Sequence, residues 1–238
     1  MIHDYHERQY RQIYDQTERL FEFIDETVGG ISGRSILDVA CGAGANVFHM
    51  LQRWPENKVT GLDLDNALLD YARAQVLPEA QARCDYVRAN FFDLPKLYPN
   101  DAFNITTFMH TLLFFGPEEY ADVLRSLIAV TSDWVFISSL FTDRRMDVTA
   151  QIRDYARFGE DSKEYHTYST FCVDRFRRVA AALDVKEVIF RDFEISIDLE
   201  GPAEGGIGTY TAKLADGHRL QFSGAVFMPW KFAALRLR

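Results

Sequence analysis

The stretch Ile36-Leu37-Asp38-Val39-Ala40-Cys41-Gly42-Ala43-Gly44-Ala45-Asn46 runs from a short apolar segment into a glycine loop. Such a loop lets main chain approach a ligand closely, because glycine carries no Cβ to hold it off. A helix starting there offers unpaired N–H groups and its positive end to an anionic group. Asp63 closes the next apolar run, 21 positions after Gly42. A carboxylate in that register can accept from both hydroxyls of a ribose. The chemistry these residues suit is the binding of a nucleotide-type ligand.

Two common nucleotide sites do not fit. A dinucleotide loop would place a small residue three positions after its second glycine, and Val47 stands there instead. The Gly-Lys-Ser/Thr of a phosphate loop is absent. The three cysteines, Cys41, Cys84 and Cys172, are widely spaced and match no metal-binding pattern.

The elements that must position the loop alternate. A helix is expected over residues 4–28, ended by Gly29-Gly30, and then strands over 34–40, 58–63, 85–88, 103–108 and 133–138. Helical patterns lie between them over 45–54, 66–75 and 118–130, with Pro117 at the start of the last. This order argues for a parallel sheet with helices on both faces. Residues 141–170 break the rhythm and read as an insert, partly helical around Val148 to Phe158. A helix over 173–183 and a strand over 185–193 follow. Asp216-Gly217 marks a two-residue hairpin turn within residues 205–224, and a last strand covers 226–237. The whole of residues 1–238 reads as one domain: a helical cover (1–30), the central α/β unit, the insert or lid, and the hairpin.

On these motifs the chain resembles the class I S-adenosylmethionine-dependent methyltransferases, most closely over residues 34–140. Leu37-Asp38-Val39-Ala40-Cys41-Gly42-Ala43-Gly44 is similar to that family's first motif, and Gly61-Leu62-Asp63-Leu64-Asp65 to its second. Asn90-Phe91-Phe92-Asp93-Leu94-Pro95 and Asp101-Ala102-Phe103-Asn104-Ile105 resemble its third-strand loop and fourth-strand opening, except that Asn90 and Asn104 replace aspartates. The resemblance implies a Rossmann-like, seven-stranded, mostly parallel sheet with a C-terminal hairpin. It implies S-adenosylmethionine as cofactor and S-adenosylhomocysteine as product. Asp38, Ala40, Gly42 and Gly44 would hold the methionine part, Asp63 the ribose, and Leu64, Asn90 and Phe91 the adenine. Phe108 and Met109 would border the sulfonium.

Methyl transfer to a hydroxyl needs a base, and positioning supplies much of the remaining acceleration. Of the six histidines, His110 is the candidate base, since it follows Met109 beyond the fourth strand; a hydrogen-bonded histidine opening the next turn suits it equally. Tyr14 on the opening helix and His166 and Arg153 in the insert are candidates for the acceptor side. Arg153 and Arg157, four apart, suit either an acidic acceptor or a solvated helix face. Asp65 reads as a helix N-cap.

Lys+Arg number 26 against 35 Asp+Glu, a net charge of −9, which disfavours a nucleic-acid partner. Neither an exported leader nor a membrane-spanning run is read, so a cytoplasmic enzyme acting on oxygen or nitrogen of a small-molecule metabolite, in a sugar or secondary-metabolite pathway, is the expectation. The alternatives are a nucleic-acid or protein methyltransferase, a nicotinamide oxidoreductase, and a protein that binds S-adenosylmethionine without methylating. The hairpin edge suits an acceptor wall or a homodimer contact.

Overall fold

The computed structural model describes residues 2–201 and 206–238. Met1 and Gly205, the first residue of the expected hairpin segment, lie outside the described residues.

Two helices open the chain, α1 (Ile2–Arg11) and α2 (Asp15–Val28). In α2, Leu20, Phe21, Phe23 and Ile24 recur at helical spacing and are buried, and the left-handed Gly29 (φ 68°) closes it. The single helix expected over 4–28 is therefore two, parted at an extended Tyr14 (φ −80°, ψ 147°). Tertiary contacts explain the break. Tyr10 donates from its hydroxyl to the Ala43 carbonyl, and the His49 ring meets the Gln9 carbonyl at 2.7 Å. The bend thus lets α1 turn onto the glycine loop while α2 packs on the sheet.

The central unit runs β1 (Ser35–Val39), α3 (Ala45–Arg53), β2 (Lys58–Asp63), α4 (Asn66–Gln75), β3 (Cys84–Arg88), α5 (Leu94–Leu97), β4 (Phe103–Met109), α6 (Tyr120–Ala129) and β5 (Thr131–Thr142). β1 is apolar on both faces because both are covered, the usual state of a parallel strand. After β5 come β6 (Val148–Ile152), α7 (Tyr155–Phe158), β7 (His166–Cys172), α8 (Val173–Ala182), β8 (Glu187–Asp192), β9 (Thr209–Lys213), β10 (Arg219–Ser223), β11 (Val226–Phe227) and β12 (Trp230–Arg236).

The main sheet has the order β3-β2-β1-β4-β5-β12-β8, and β12 runs antiparallel to both neighbours. β1 lies between β2 and β4, with Val39 opposite Leu62 and Phe108. The strand order reverses there, and open α/β sheets bind ligands at that switch point. One core layer lies under α6 and α8, including Phe108, Tyr120, Phe141 and Phe176; the other lies under α2, α3 and α4, including Phe23, Met50 and Phe136. Among the described residues no helix is long and apolar enough to cross a membrane.

Three further expectations are corrected. Val148–Ile152 is strand, and only Tyr155–Phe158 of the insert is helical. β6 pairs antiparallel with β7, and β7 adds to the far end of β5; Thr167, Tyr168, Thr170 and Phe171 give His166–Cys172 the β-branched and aromatic content that favours strand. The β9–β10 turn leaves Ala215, Asp216 and Gly217 outside the Leu214–His218 bond, and only Gly217 (φ 93°) is left-handed. It is a three-residue loop with a terminal glycine, not a two-residue turn. The last strand is split at Pro229, which has no N–H for a ladder and marks the crossing from the β9–β10–β11 sheet to β12.

Candidate active site

Asp38 is the exception in an apolar strand: it is 1% exposed, and Thr107 on neighbouring β4 donates to its Oδ1 at 2.7 Å. Its Oδ2 is buried with no partner. Burial pushes its pKa up to about 7, the negative Asp63 nearby adds to this, and the Thr107 hydrogen bond opposes it. A buried carboxylate with one empty oxygen is a ready receptor for a cationic or hydrogen-bond-donating group.

The loop after β1 takes left-handed backbone at Ala40 (φ 58°), Gly42 (φ 55°) and Gly44 (φ 81°). The two glycines are needed for different reasons. A Cβ on Gly42 would meet nothing within 4 Å, so this residue faces open space. On Gly44 it would stand 2.5 Å from the Tyr86 hydroxyl and 2.7 Å from Ala72 Cβ, so here glycine serves close packing of loop on sheet. Asp63 at the end of β2 accepts from Gly42 N (2.8 Å) through Oδ2 and from Asp65 N (2.9 Å) through Oδ1. Those two bonds fix its carboxylate beside the loop and leave a further lone pair on each oxygen. Asp65 caps α4 through Ala67 and Leu68 N–H. Leu64, 58% exposed, stands free next to Asp63.

The other sequence candidates separate into rim and core. Asn90 Oδ1 accepts from Phe92 N and so shapes the turn after β3. Phe91 is buried against Phe108 and Phe115, with ring centroids 5.4 and 5.7 Å away. Phe108, within β4, has no exposed surface, and the strand runs one residue further, through Met109. Both rings belong to the core layer under α6 and α8. Met109 lies on the opposite face, and Asn46 Nδ2 donates to its sulfur at 3.2 Å. His110 follows with left-handed backbone (φ 55°), an uncommon conformation for a side chain of this size. Its N–H donates to Ser138 O, its ring meets Trp230 edge-on at 5.0 Å, and its Nε2 is buried without a partner. Burial pulls the imidazole down to about pKa 4, so it is neutral at physiological pH.

Asn104 is at the other end of β4. It stitches the amino edge of the sheet, accepting from Ser35 N (3.0 Å) and donating to Ser132 Oγ (3.3 Å).

Tyr14 is the N-cap residue of α2, 36% exposed, with Tyr5 edge-on at 6.2 Å. His166 opens β7, packs on Phe158 at 5.2 Å and has an unpartnered Nε2. Arg153 is exposed between β6 and α7, ahead of the N-cap Asp154, while Arg157 lies within α7 over the Phe158 ring. The two arginines therefore do not share a helix face. Tyr14 is in the opening segment and His166 and Arg153 in the insert; no hydrogen bond or ring contact joins these three side chains to one another.

The sequence reading missed a polar seam under Met109 and His110. Gln16 donates to Ser138 Oγ (2.9 Å), and Thr17 donates to Asn46 Oδ1 (3.2 Å), joining α2, α3 and β5. Trp230, at the start of β12, was missed as well. Only Asn46 carried a signal, its place directly after the glycine loop.

A family model described as a methyltransferase domain matches residues 36–133, from β1 into β5. The demethylmenaquinone methyltransferase of Lactococcus lactis is 30% identical over 104 residues, 43% of this chain and 40% of that protein. The ubiquinone biosynthesis O-methyltransferase of Nitrosomonas europaea is 29% identical over 138 residues, 56% of this chain and 54% of that protein. The chain thus spans about half the length of the curated relatives it matches, or less. Among solved structures, the Burkholderia thailandensis 1,6-didemethyltoxoflavin-N1-methyltransferase with bound S-adenosylhomocysteine superposes with a TM-score of 0.57 at 14% identity, covering 98% of this chain and 82% of that one. The matched segment holds Asp38, the glycine loop, Asp63 and His110. Residues 36–133 thus match a methyltransferase domain, and the strand order around them is that of a Rossmann-like fold, shared with the superposed methyltransferase.

Proposed function

We propose that the protein transfers a methyl group from S-adenosylmethionine to oxygen or nitrogen of a small molecule. The observation that carries this is the buried, unpartnered Oδ2 of Asp38 beside the open space at Gly42. The residues present fit the cofactor. Asp38 suits its ammonium group, Gly42 leaves room for its amino-acid end, and the doubly anchored Asp63 has lone pairs for two ribose hydroxyls. Leu64 offers an exposed apolar surface to the adenine. When bound, S-adenosylmethionine supplies an electrophilic methyl group whose departure leaves a neutral thioether.

The chain's part is to hold and to receive a proton. Met109 ends β4 and His110 follows it next to the β1 loop, because β4 pairs with β1. The Thr17–Asn46–Met109 and Gln16–Ser138 contacts fix this end of the crevice. Neutral His110, in the tautomer with Nε2 unprotonated, is set to accept a hydrogen bond from an acceptor hydroxyl and to take its proton as the new bond to carbon forms. A base held near pKa 4 suits an acidic hydroxyl, or an amine that needs no base, better than an alcohol.

Incubation with S-adenosylmethionine and a panel of hydroxylated and amino-bearing small molecules tests the reading, with S-adenosylhomocysteine and methylated product detected by mass spectrometry. Product formation that is slowed by His110→Ala without loss of cofactor affinity supports it. Tight cofactor binding with no transfer to any member of a broad panel favours a protein that binds the cofactor without methylating.

A further inference from the structure

A cleft of about 290 Å³ opens at the carboxyl edge of the sheet between β5, β8, β12 and the β9–β10–β11 sheet. Phe193, Ile195, Phe227, Met228, Trp230 and Lys231 are among its walls; His110 is not. Trp230 belongs to both compartments. It lines the cleft, and its ring also meets His110 edge-on. The indole is 8% exposed, and its Nε1 is buried with no hydrogen-bond partner, as is Nε2 of His110. Buried polar atoms of this kind are almost always paired, so two on rings in contact mark a place where a partner is missing.

The charges around the cleft narrow what that partner is. Lys231 is held by Asp143 and Asp192, and Arg219 by Asp198, while Glu194 takes Arg219 N–H and the His218 ring. Of the charged lining groups, Asp143, Asp192 and Glu194 outnumber Lys231 and Arg219, and both cations are already engaged. An anion gains nothing here. The aromatic walls favour a flat ring, and the volume lies at the small end of ligand pockets, about the size for one ring with substituents.

We infer that the cleft binds a neutral, single-ring aromatic molecule bearing oxygen, that this oxygen accepts the hydrogen bond Trp230 Nε1 lacks, and that the indole is the gate between the cleft and His110. The gate's purpose rests on the methyl-transfer reading; binding in the cleft does not. In this structure the indole stands between the cleft and the His110 ring, and its rotation toward a bound ring is the step that joins the cleft to the end of β4.

Phenol titrated into the full-length, 15N-labelled protein saturated with S-adenosylhomocysteine tests this. The three tryptophans give three indole N–H resonances, and Trp230→Phe identifies the one that matters. Saturable movement of the Trp230 resonance is expected. Trp54, whose Nε1 donates to Asp25 at 2.8 Å, should stay still and serves as an internal control for folding. Ile195→Tyr, which fills the cleft from an irregular segment, should weaken the phenol response at least tenfold while leaving Trp54 in place. Benzoate should produce no movement. An unmoved Trp230 resonance, an equal response to benzoate, or a response that survives Ile195→Tyr overturns the proposal. Absence of S-adenosylhomocysteine binding by calorimetry would instead sink the methyl-transfer reading, and phenol titration of the unliganded protein would still decide on the cleft.

Discussion

The two halves of the carboxyl edge are built differently. Around β1 and β2 the crevice is made by backbone: three left-handed residues in one loop, a glycine facing open space, and a carboxylate tied to main-chain N–H groups. Around β5 and β12 the edge is made by side chains brought together from afar: Gln16 meets Ser138 across 122 positions, and Trp230 meets His110. The first construction tolerates almost no change at a few places. The second spreads its dependence over many weak contacts, which suits the acceptor surface proposed for it.

The largest expected effect is at Gly44. Gly44→Ala puts a Cβ 2.5 Å from the Tyr86 hydroxyl on backbone that disfavours any side chain, at a cost of roughly 2–4 kcal/mol. Thermal unfolding should show this, and calorimetry should show loss of cofactor binding. Gly217→Ala, at the hairpin loop where a Cβ meets nothing within 4 Å, should cost only about 1 kcal/mol and leave the cofactor untouched.

Asp38→Asn sharpens the comparison by separating stability from function. The folded-state pKa of about 7 lies above the ordinary carboxylate value, so the folded protein binds the extra proton between the two. Asp38 therefore lowers stability as pH rises from about 4 through 7. Removing the charge should raise the melting temperature at pH 8 by roughly 8–16 °C, with little gain at pH 4, while S-adenosylmethionine binding weakens. A variant less stable at pH 8 would show that the carboxylate is held by contacts the structure lacks.

In the side-chain-built half the effects are smaller. Ser138→Ala removes the oxygen that accepts from Gln16 and should cost about 1 kcal/mol, with cofactor affinity unchanged. A loss of several kcal/mol there would mean that this half is as tightly determined as the glycine loop.

The same contrast explains what the sequence made legible. The βα alternation, the glycine loop and Asp63 are local patterns, because strand burial and left-handed turns impose residue types within a few positions. The family model's match to residues 36–133 covers this part. The break before α2, the β6–β7 pair and the division at Pro229 depend on contacts with distant elements, Tyr10 with Ala43 for example, and no local pattern encodes them. The resemblance puts both Phe108 and Met109 beside the ligand, but in a strand one position exchanges one face for the other, and Phe108 lies in the core layer under α6 and α8 while Met109 is on the face of α3. Gln16, Ser138 and Trp230 are ordinary residues in the sequence, and only the fold makes them neighbours of His110.

The central claim, that the bend after β1 and the carboxylate of Asp63 together grip an adenosyl amino acid, is tested most directly by calorimetry of S-adenosylhomocysteine with the wild type and Asp63→Ala. Saturable one-to-one binding, weakened roughly tenfold or more by the substitution, is the predicted result, since two hydroxyls lose a charged acceptor. No binding by the wild type, or equal affinity in the variant, would contradict the account.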